Sequence, residues 1–278
     1  MKFDLHSHTN CSDGELTPEE LVLRAENKGI DVLAITDHDT VAAIPLAKSA
    51  IAKHNLKLKL VEGVEISTSW HGFEIHIVGL NVNSDDDQLL KNLDEQLLKR
   101  ENRAERIAEK LAKIGFENCL EPVKAIAQGR SISRVHFAKY LLREGHVSHI
   151  QQAFDKYLAR RSKAYVAPQW VGIEEAIHWI HQAGGQAVLA HPTRYDMTNK
   201  WVRKLITECK SLGADAIEAA LPRQNKNELM QLLNYAKEAG LKVSQGSDFH
   251  RITPYTELGK TLNLPDDCQK IWQNWVIA

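Results

Sequence analysis

Short apolar runs alternate with amphipathic stretches over most of the chain and divide it into predicted strands and helices. The apolar, β-branched runs expected to form strands lie at residues 3–9, 32–36, 57–66, 74–81, 186–191, 215–220 and 242–247. The stretches with helical periodicity lie at residues 18–28, 41–54, 172–183, 198–211 and 224–239. Such alternation is typical of a parallel sheet covered by helices. We therefore predict an α/β fold, a parallel (β/α) barrel.

The alternation stops in the middle of the chain. Helical periodicity there lies at residues 86–113, 120–128, 133–143 and 149–158, with no strand pattern between these stretches. An interruption of this kind indicates an insertion into the barrel. The predicted division is an inserted, mainly helical cap at 86–165 and a barrel formed by 1–85 and 166–278.

Charge is unevenly distributed between these two parts. The net charge is −1, yet Lys91 to Lys163 contains 16 Lys and Arg against 9 Asp and Glu, which leaves −8 for the remainder. This favours an acidic barrel that attracts divalent cations and a basic cap that attracts phosphates. The alternative is that many of these charges are only the solvated face of an amphipathic helix at 89–113. A net charge near zero argues against non-specific coating of duplex nucleic acid.

Composition indicates a globular protein with reduced cysteines and no membrane span. Hydrophobic residues make up 43% and charged residues 26% of the chain, as in globular proteins. No apolar run reaches the roughly 18 residues of a membrane span, and the strand at the N-terminus argues against a cleaved signal peptide. The four cysteines show no C-x-x-C spacing and are typical of reduced thiols. We expect a cytoplasmic protein without an obligate protein partner.

The first predicted strand carries the strongest chemical signal. Residues 4–14 read DLHSHTNCSDG, which places His6 and His8 two apart in the strand and Asp13 in the loop that follows. Alternate side chains of a strand share a face, so the two imidazoles point the same way. Imidazoles with a nearby carboxylate favour a metal site. The alternative is a half-buried strand with two solvated histidines.

The same pattern recurs along the chain. A strand-like run carries or precedes a metal-binding type of residue at His38, Glu65, His76, His191, and Asp248 with His250. Parallel barrels place reactive residues at the carboxyl ends of their strands. Together with the strand of His6 and His8, these runs number six and therefore indicate one shared site. Asp37 and Asp39 flank His38, and either a hydrogen bond to a ligand imidazole or helix capping by Asp39 is compatible with the sequence.

Together these segments resemble the PHP (polymerase and histidinol phosphatase) superfamily. The motifs are DLHSHTNCSDG, ITDHDT, GVEIS, EIHIVGLN, LAHP and SQGSDFH, and they extend from about Phe3 to about Leu264. The resemblance implies a distorted seven-stranded (β/α)7 barrel and three divalent metal ions. The implied ligands are His6, His8, Glu65 and Asp248 for the first ion, Glu65, His76 and His191 for the second, and Asp13, His38 and His250 for the third. We favour Mn²⁺, and mixed imidazole and carboxylate ligands also suit Fe²⁺ or Zn²⁺.

Within the superfamily the chain is similar to bacterial 5′→3′ exoribonucleases and 3′,5′-nucleotide bisphosphate phosphatases. This implies a phosphoesterase that cleaves on the 3′ side of 5′-phosphorylated nucleotides, with RNA, oligonucleotides and nucleoside 3′,5′-bisphosphates as substrates. Clustered divalent ions favour such hydrolysis because they lower the pKa of water and neutralise phosphoryl oxygens. Alternatives are a histidinol-phosphate-type phosphomonoesterase, a non-catalytic metal-binding module, and an amidohydrolase, whose usual lysine bridge is replaced here by Glu65.

Arginines of the predicted cap are candidates for substrate binding. Arg134 lies at a predicted helix start, where backbone N–H groups favour an anion. Arg160 and Arg161 precede the return to the barrel, and Arg194 follows LAHPT. The resemblance implies that Arg134 and one of Arg160 or Arg161 hold a 5′-phosphate; solvated loop arginines are the alternative. Tyr165 and Trp170 are candidates for base stacking or for the core.

Overall fold

The computed structural model describes residues 1–276 and contains one seven-stranded sheet. Its strands pair in chain order: β1 (Phe3–Asp4), β2 (Val32–Ile35), β3 (Lys59–Trp70), β4 (Phe73–Leu80), β5 (Gln186–Leu189), β6 (Ala216–Ala220) and β7 (Lys242–Gln245). The sheet curls until its ends meet, because Leu5 N–H donates to Gln245 O at 3.1 Å and Asp248 N–H donates to His6 O at 2.9 Å. The predicted seven-stranded barrel is therefore confirmed.

The expectation that all strands run parallel is wrong at β4. Strands β3 and β4 form an antiparallel hairpin, and β4 is also antiparallel to β5. Only His71 and Gly72 connect the hairpin, with φ values of 46° and 78°. Two positive φ angles in a two-residue loop define a type I′ turn, which leaves no room for a crossover helix. The first half of β4 consequently lies at the carboxyl ends of the parallel strands.

The helices surround the barrel and build the segment between β4 and β5. They are α1 (Pro18–Asn27), α2 (Ala43–His54), α3 (Asp87–Ala112), α4 (Leu120–Ala127), α5 (Arg134–Arg143), α6 (Ile150–Ala153), α7 (Ile173–Gln182), α8 (Asn199–Ser211) and α9 (Lys226–Ala239). A π-helical turn (Phe154–Leu158) follows α6. Among the described residues, no helix combines the length and apolar character needed to cross a membrane.

Apolar side chains form separate clusters in the barrel and in the inserted segment. Strand residues such as Val32 and Val188 fill the barrel interior, and helices cover its outside. A further cluster lies within residues 104–166. Helix α3 contributes to both regions, since Leu89 packs on the barrel and Ile107 in the further cluster. The exact division at 86 and 165 stays a prediction.

Helix α1 begins as its sequence indicates. The Thr17 hydroxyl accepts the Glu20 N–H, and the Glu20 carboxylate accepts the Thr17 N–H, which completes a capping box. We expect Thr17→Ala to lower the free energy of unfolding by about 1 kcal/mol, because it leaves a helical N–H without its acceptor. Urea denaturation measures this. Thr207→Ala, in the exposed interior of α8, is the control, and an equal loss there would contradict the capping role.

Candidate metal centre

The rim of the barrel at the carboxyl ends of the parallel strands collects the predicted ligands. His6 and His8 follow β1, and their Nε2 atoms lie 3.1 Å apart, as expected for alternate positions on one face. His38 follows β2 and His191 follows β5. His76 reaches the same rim from the first half of β4, where it pairs with Ser67 of β3. The reversal of β4 is thus what brings His76 to this end of the barrel.

Glu65 is the centre of the cluster and is fully buried. Its Oε1 lies 3.0 Å from His76 Nδ1 and 3.0 Å from His191 Nε2. Its Oε2 lies 3.0 Å from His38 Nδ1 and 3.2 Å from His8 Nε2. Oε1 therefore faces two imidazoles and Oε2 faces three, because His6 Nε2 also lies 3.3 Å from Oε2. This arrangement suits a bridging carboxylate.

Two further carboxylates complete the cluster near His250. The Oδ1 atom of Asp13 lies 3.1 Å from His250 Nε2, and that of Asp248 lies 3.4 Å from both His250 Nδ1 and His8 Nε2. The candidate metal groups are His8, Asp13, His38 and His250; His6, His8 and Asp248; His6, Glu65 and His191; and His38, Glu65 and His76. All nine predicted residues are brought together. The grouping differs from the implied sets, because His38 also joins Glu65 and His76.

Orphaned buried atoms show that these residues suit metal ions. Among residues 1–276, five buried ring nitrogens and carboxylate oxygens of the cluster make no hydrogen bond: His8 Nδ1, Asp13 Oδ1, His38 Nδ1, Glu65 Oε2 and His191 Nδ1. Even the pair His38 Nδ1 and Glu65 Oε2, 3.0 Å apart, does not have the angles of a hydrogen bond. Leaving such atoms unpaired destabilises a fold. Imidazole nitrogen and carboxylate oxygen are ligands of divalent first-row metals, so the donor set fits a divalent metal centre.

The charges of the cluster favour cations. Burial alone would raise the pKa of Glu65, but the facing imidazoles hold it well below its usual range. Burial would also raise the pKa values of Asp13 and Asp248, but neighbouring imidazoles lower both. Burial would lower the pKa of His250, but Asp13 and Asp248 raise it to about 10. The three carboxylates are therefore ionised and available as ligands at neutral pH.

Glu218 is a site residue that the sequence did not reveal. It is buried on β6, and its Oε1 accepts from His6 Nδ1 at 3.1 Å while its Oε2 accepts the His191 N–H at 2.8 Å. A carboxylate on Nδ1 fixes the tautomer of an imidazole and leaves Nε2 free for a metal. In the sequence its signal is one charged residue within the otherwise apolar run AIEAA.

We expect Glu218→Gln to weaken metal binding about tenfold, because the amide holds the His6 ring less strongly in its metal-binding tautomer. Titration of metal-stripped protein with Mn²⁺ measures the change. Glu208→Gln, at a partly exposed position of α8, is the matched control. Equal affinities for the two variants would show that Glu218 does not orient His6.

The cluster opens into a cavity of about 360 Å³ between the barrel and residues 86–165. Glu74 lies in its wall and accepts hydrogen bonds from Arg134 at 2.8 Å, Arg103 at 3.3 Å and Trp170 Nε1 at 2.8 Å. Burial would raise the pKa of Glu74, but Arg134 and Arg103 lower it to about 2. Among the described residues, Arg103 Nη2 has no hydrogen-bond partner. The two guanidinium groups thus share one carboxylate and retain capacity for another anion.

The predicted substrate-binding arginines divide into two groups. Arg134 and Arg194 line the cavity. Arg160 and Arg161 are exposed and are not among the residues that line it. Sequence reasoning missed Arg103, because its position on the charged helix α3 resembles that of solvated neighbours.

The structure decides two points that the sequence left open. Trp170 is buried beneath Arg100 and Arg103, whose guanidinium carbons lie 5.0 and 5.2 Å from its ring centre, so it is unavailable to a base. Asp39 does not cap a helix: α2 starts at Ala43, and the buried Asp39 carboxylate accepts from Arg100 Nε at 2.7 Å.

This barrel and rim define a metal-dependent phosphoesterase of the PHP type. The model of the PHP domain family matches residues 4–187, and the chain belongs to this family, as its motifs indicated. It is 47% identical to the 5′-3′ exoribonuclease Rnm of Escherichia coli strain K12, over 98% of this chain and 93% of that protein. It is 35% identical to the 3′,5′-nucleoside bisphosphate phosphatase of Chromobacterium violaceum, over 97% and 95%.

Solved structures agree with this assignment. An amidohydrolase from Chromobacterium violaceum, determined with sulfate and without metal, superposes with a TM-score of 0.90 at 36% identity and covers 98% of this chain and 95% of its own. A Bifidobacterium adolescentis protein assigned as a metal-dependent phosphoesterase has a TM-score of 0.81 at 28% identity, with 94% and 91% covered. The predicted fold, family and enzyme class are therefore confirmed.

Proposed function

We propose that the chain hydrolyses the phosphoester on the 3′ side of a nucleotide that carries a 5′-phosphate. Acting on RNA, it removes 5′-mononucleotides in the 5′→3′ direction. Acting on nucleoside 3′,5′-bisphosphates, it releases phosphate and a nucleoside 5′-monophosphate. The names of the Escherichia coli and Chromobacterium violaceum relatives support both substrates.

One geometric observation carries this proposal. Glu74, which holds Arg103 and Arg134, lies two residues before the cluster residue His76 on β4. Alternate residues share a strand face and lie about 7 Å apart. This is comparable with the separation of successive phosphates in an extended single strand. A 5′-phosphate held by the arginines therefore leaves the next phosphorus at the cluster.

The arginines supply the 5′ recognition in this proposal. An incoming phosphate competes with Glu74 for Arg134 and Arg103, and guanidinium groups bind phosphate through paired N–H donors. Arg194 remains a candidate contact in the cavity wall. Since Arg103 and Arg134 lie on α3 and α5, we assign substrate binding to the cap at residues 86–165. Arg103 replaces Arg160 or Arg161 as the partner of Arg134.

The metal cluster supplies the chemistry. We propose three ions, most simply Mn²⁺, distributed over the nine residues, with Glu65 as the bridging ligand. Divalent ions bound there lower the pKa of water and neutralise charge on the phosphoryl oxygens. Glu65 and Asp248 hold the negative charge that this site needs, and His6 is oriented by Glu218.

The test compares matched RNA oligomers with 5′-phosphate or 5′-hydroxyl ends, and adenosine 3′,5′-bisphosphate, in the presence of Mn²⁺. Stepwise release of 5′-mononucleotides from the phosphorylated oligomer alone is the expected result. Cleavage of the bisphosphate without RNA would restrict the function to small molecules. Hydrolysis of histidinol phosphate, with neither nucleotide substrate cleaved, would overturn the proposal.

A further inference from the structure

The β3–β4 hairpin extends past the candidate metal cluster and borders a partly exposed aromatic surface, in which Trp70 is buried and Phe73 half-buried. Trp70 lies five residues beyond Glu65 on β3, about 16 Å further along the strand. On the outer side of the hairpin, Trp201 at the start of α8 is 36% exposed. Its ring centre lies 5.6 Å from that of His71 and 6.0 Å from that of Phe73.

Two cations lie against these rings. Lys204 Nζ is 5.0 Å from the Trp201 ring centre, and the guanidinium carbon of Arg160 is 6.0 Å from the Phe73 ring centre. We call these five residues the aromatic–cation strip: His71, Phe73, Arg160, Trp201 and Lys204. Exposed rings interleaved with cations are typical of surfaces that bind single-stranded nucleic acid.

Among the described residues, the cations of the strip are not neutralised by carboxylates, although Lys204 Nζ lies 3.4 Å from His71 Nε2. Within residues 1–276, neither Lys204 nor Arg160 has a carboxylate oxygen within 4.0 Å, whereas the neighbouring Arg203 is paired with Glu238 at 2.8 Å. The strip therefore combines stacking surface with unneutralised positive charge. An acidic protein segment would pair with the cations but would not stack on the rings, whereas a single-stranded nucleic acid can do both.

The strip borders the mouth of the cavity into which the candidate metal cluster opens. Phe73 directly precedes Glu74 in the cavity wall, and Arg160 follows the π-helical turn whose Phe154 also lines the cavity. On the other side, Arg194 in the cavity wall leads into α8 and Trp201. A chain that leaves the cluster between α8 and the cap passes over the strip.

We propose that the aromatic–cation strip binds the RNA nucleotides 3′ to the cleaved bond, an inference that rests on the proposed function. Trp201 and His71 stack bases, and Lys204 and Arg160 contact phosphates. A nucleoside 3′,5′-bisphosphate ends at the cluster and does not reach the strip. The strip thus distinguishes RNA from the small substrate.

The experiment compares Trp201→Leu with Trp201→Phe. For a 5′-phosphorylated RNA decamer, Trp201→Leu should reduce kcat/KM about tenfold, and Trp201→Phe should retain most of it because it preserves a stacking ring. Both variants should hydrolyse adenosine 3′,5′-bisphosphate at the wild-type rate. An equal loss on both substrates would show a packing role for Trp201 and overturn the proposal.

Binding without turnover separates the strip from the proposed function. Fluorescence anisotropy of the 3′-labelled decamer, without added metal, should show weaker affinity for Trp201→Leu and a smaller salt dependence for Lys204→Ala. Unchanged affinity of Trp201→Leu for the decamer would contradict RNA binding by the strip, even if the protein cleaves RNA. Absence of RNA cleavage by the wild type, with affinity dependent on Trp201, would overturn the proposed exonuclease activity but support the strip.

Discussion

Replacing Asp248 with asparagine should lower kcat by about 10³-fold or more, in line with the loss of a central electrostatic group from an active site. Asp248 Oδ1 lies 3.4 Å from His8 Nε2 and 3.6 Å from His6 Nε2. The imidazoles outweigh its burial and keep its pKa low, so the carboxylate is charged. Asparagine retains the shape but not the charge. Steady-state kinetics with Mn²⁺, together with metal content by mass spectrometry, measures the effect.

A surface carboxylate provides the matched comparison for Asp248. Asp266→Asn makes the same chemical change at a fully exposed side chain and should leave metal content and kcat unchanged. If Asp248→Asn retained both its metal and wild-type turnover, the assignment of this residue to the metal centre would be wrong. A folded but metal-depleted Asp248→Asn protein would support it.

Removing the Arg134 side chain should raise KM for 5′-phosphorylated substrates about 10- to 100-fold, with a much smaller change in kcat. A hydrogen bond to a charged group contributes about 1.5–3 kcal/mol, which corresponds to this range. Arg134 lies in the cavity wall and shares Glu74 with Arg103. In Arg134→Ala, Glu74 keeps Arg103, and the incoming phosphate loses one of its two donors.

The comparison for Arg134→Ala uses both substrate and protein controls. Arg143→Ala removes an exposed arginine from the same helix, α5, and should not alter KM. A substrate with a 5′-hydroxyl should bind Arg134→Ala and wild type alike. An equal rise of KM for 5′-phosphate and 5′-hydroxyl oligomers would show that Arg134 does not read the 5′ end.

Local periodicity was sufficient to predict most elements and one shared site for the candidate ligands, whereas their grouping into ligand sets came from the family resemblance. The two-residue spacing of His6 and His8 fixes their common face, and the structure brings their Nε2 atoms within 3.1 Å. Runs that end in His or Asp lie at strand ends because parallel strands share one rim. The Thr17 and Glu20 pattern likewise marks the start of α1. Each of these features depends on neighbours in sequence.

Features that depend on distant contacts were not predictable. The direction of β4 shows in its antiparallel pairing with β3 and with the distant β5, whereas periodicity only marks a strand. Glu218 acquires its role from His6, which is 212 residues away. Arg103 meets Glu74 across the cavity, and Arg160 instead lies against Phe73 outside it. For these three charged residues, the contact with a distant residue determines whether the side chain belongs to the site or lies outside it.

Helix α3 has a consequence for the motions available to the cap. Its 26 residues contain no glycine or proline and extend about 39 Å. One end packs on the barrel through Leu89, the middle places Arg103 in the cavity, and the far end reaches the cap core through Ile107. A lid that swings on a hinge would have to bend this rod. The cavity is therefore preorganised, and substrate binding does not have to supply the free energy of a closing motion.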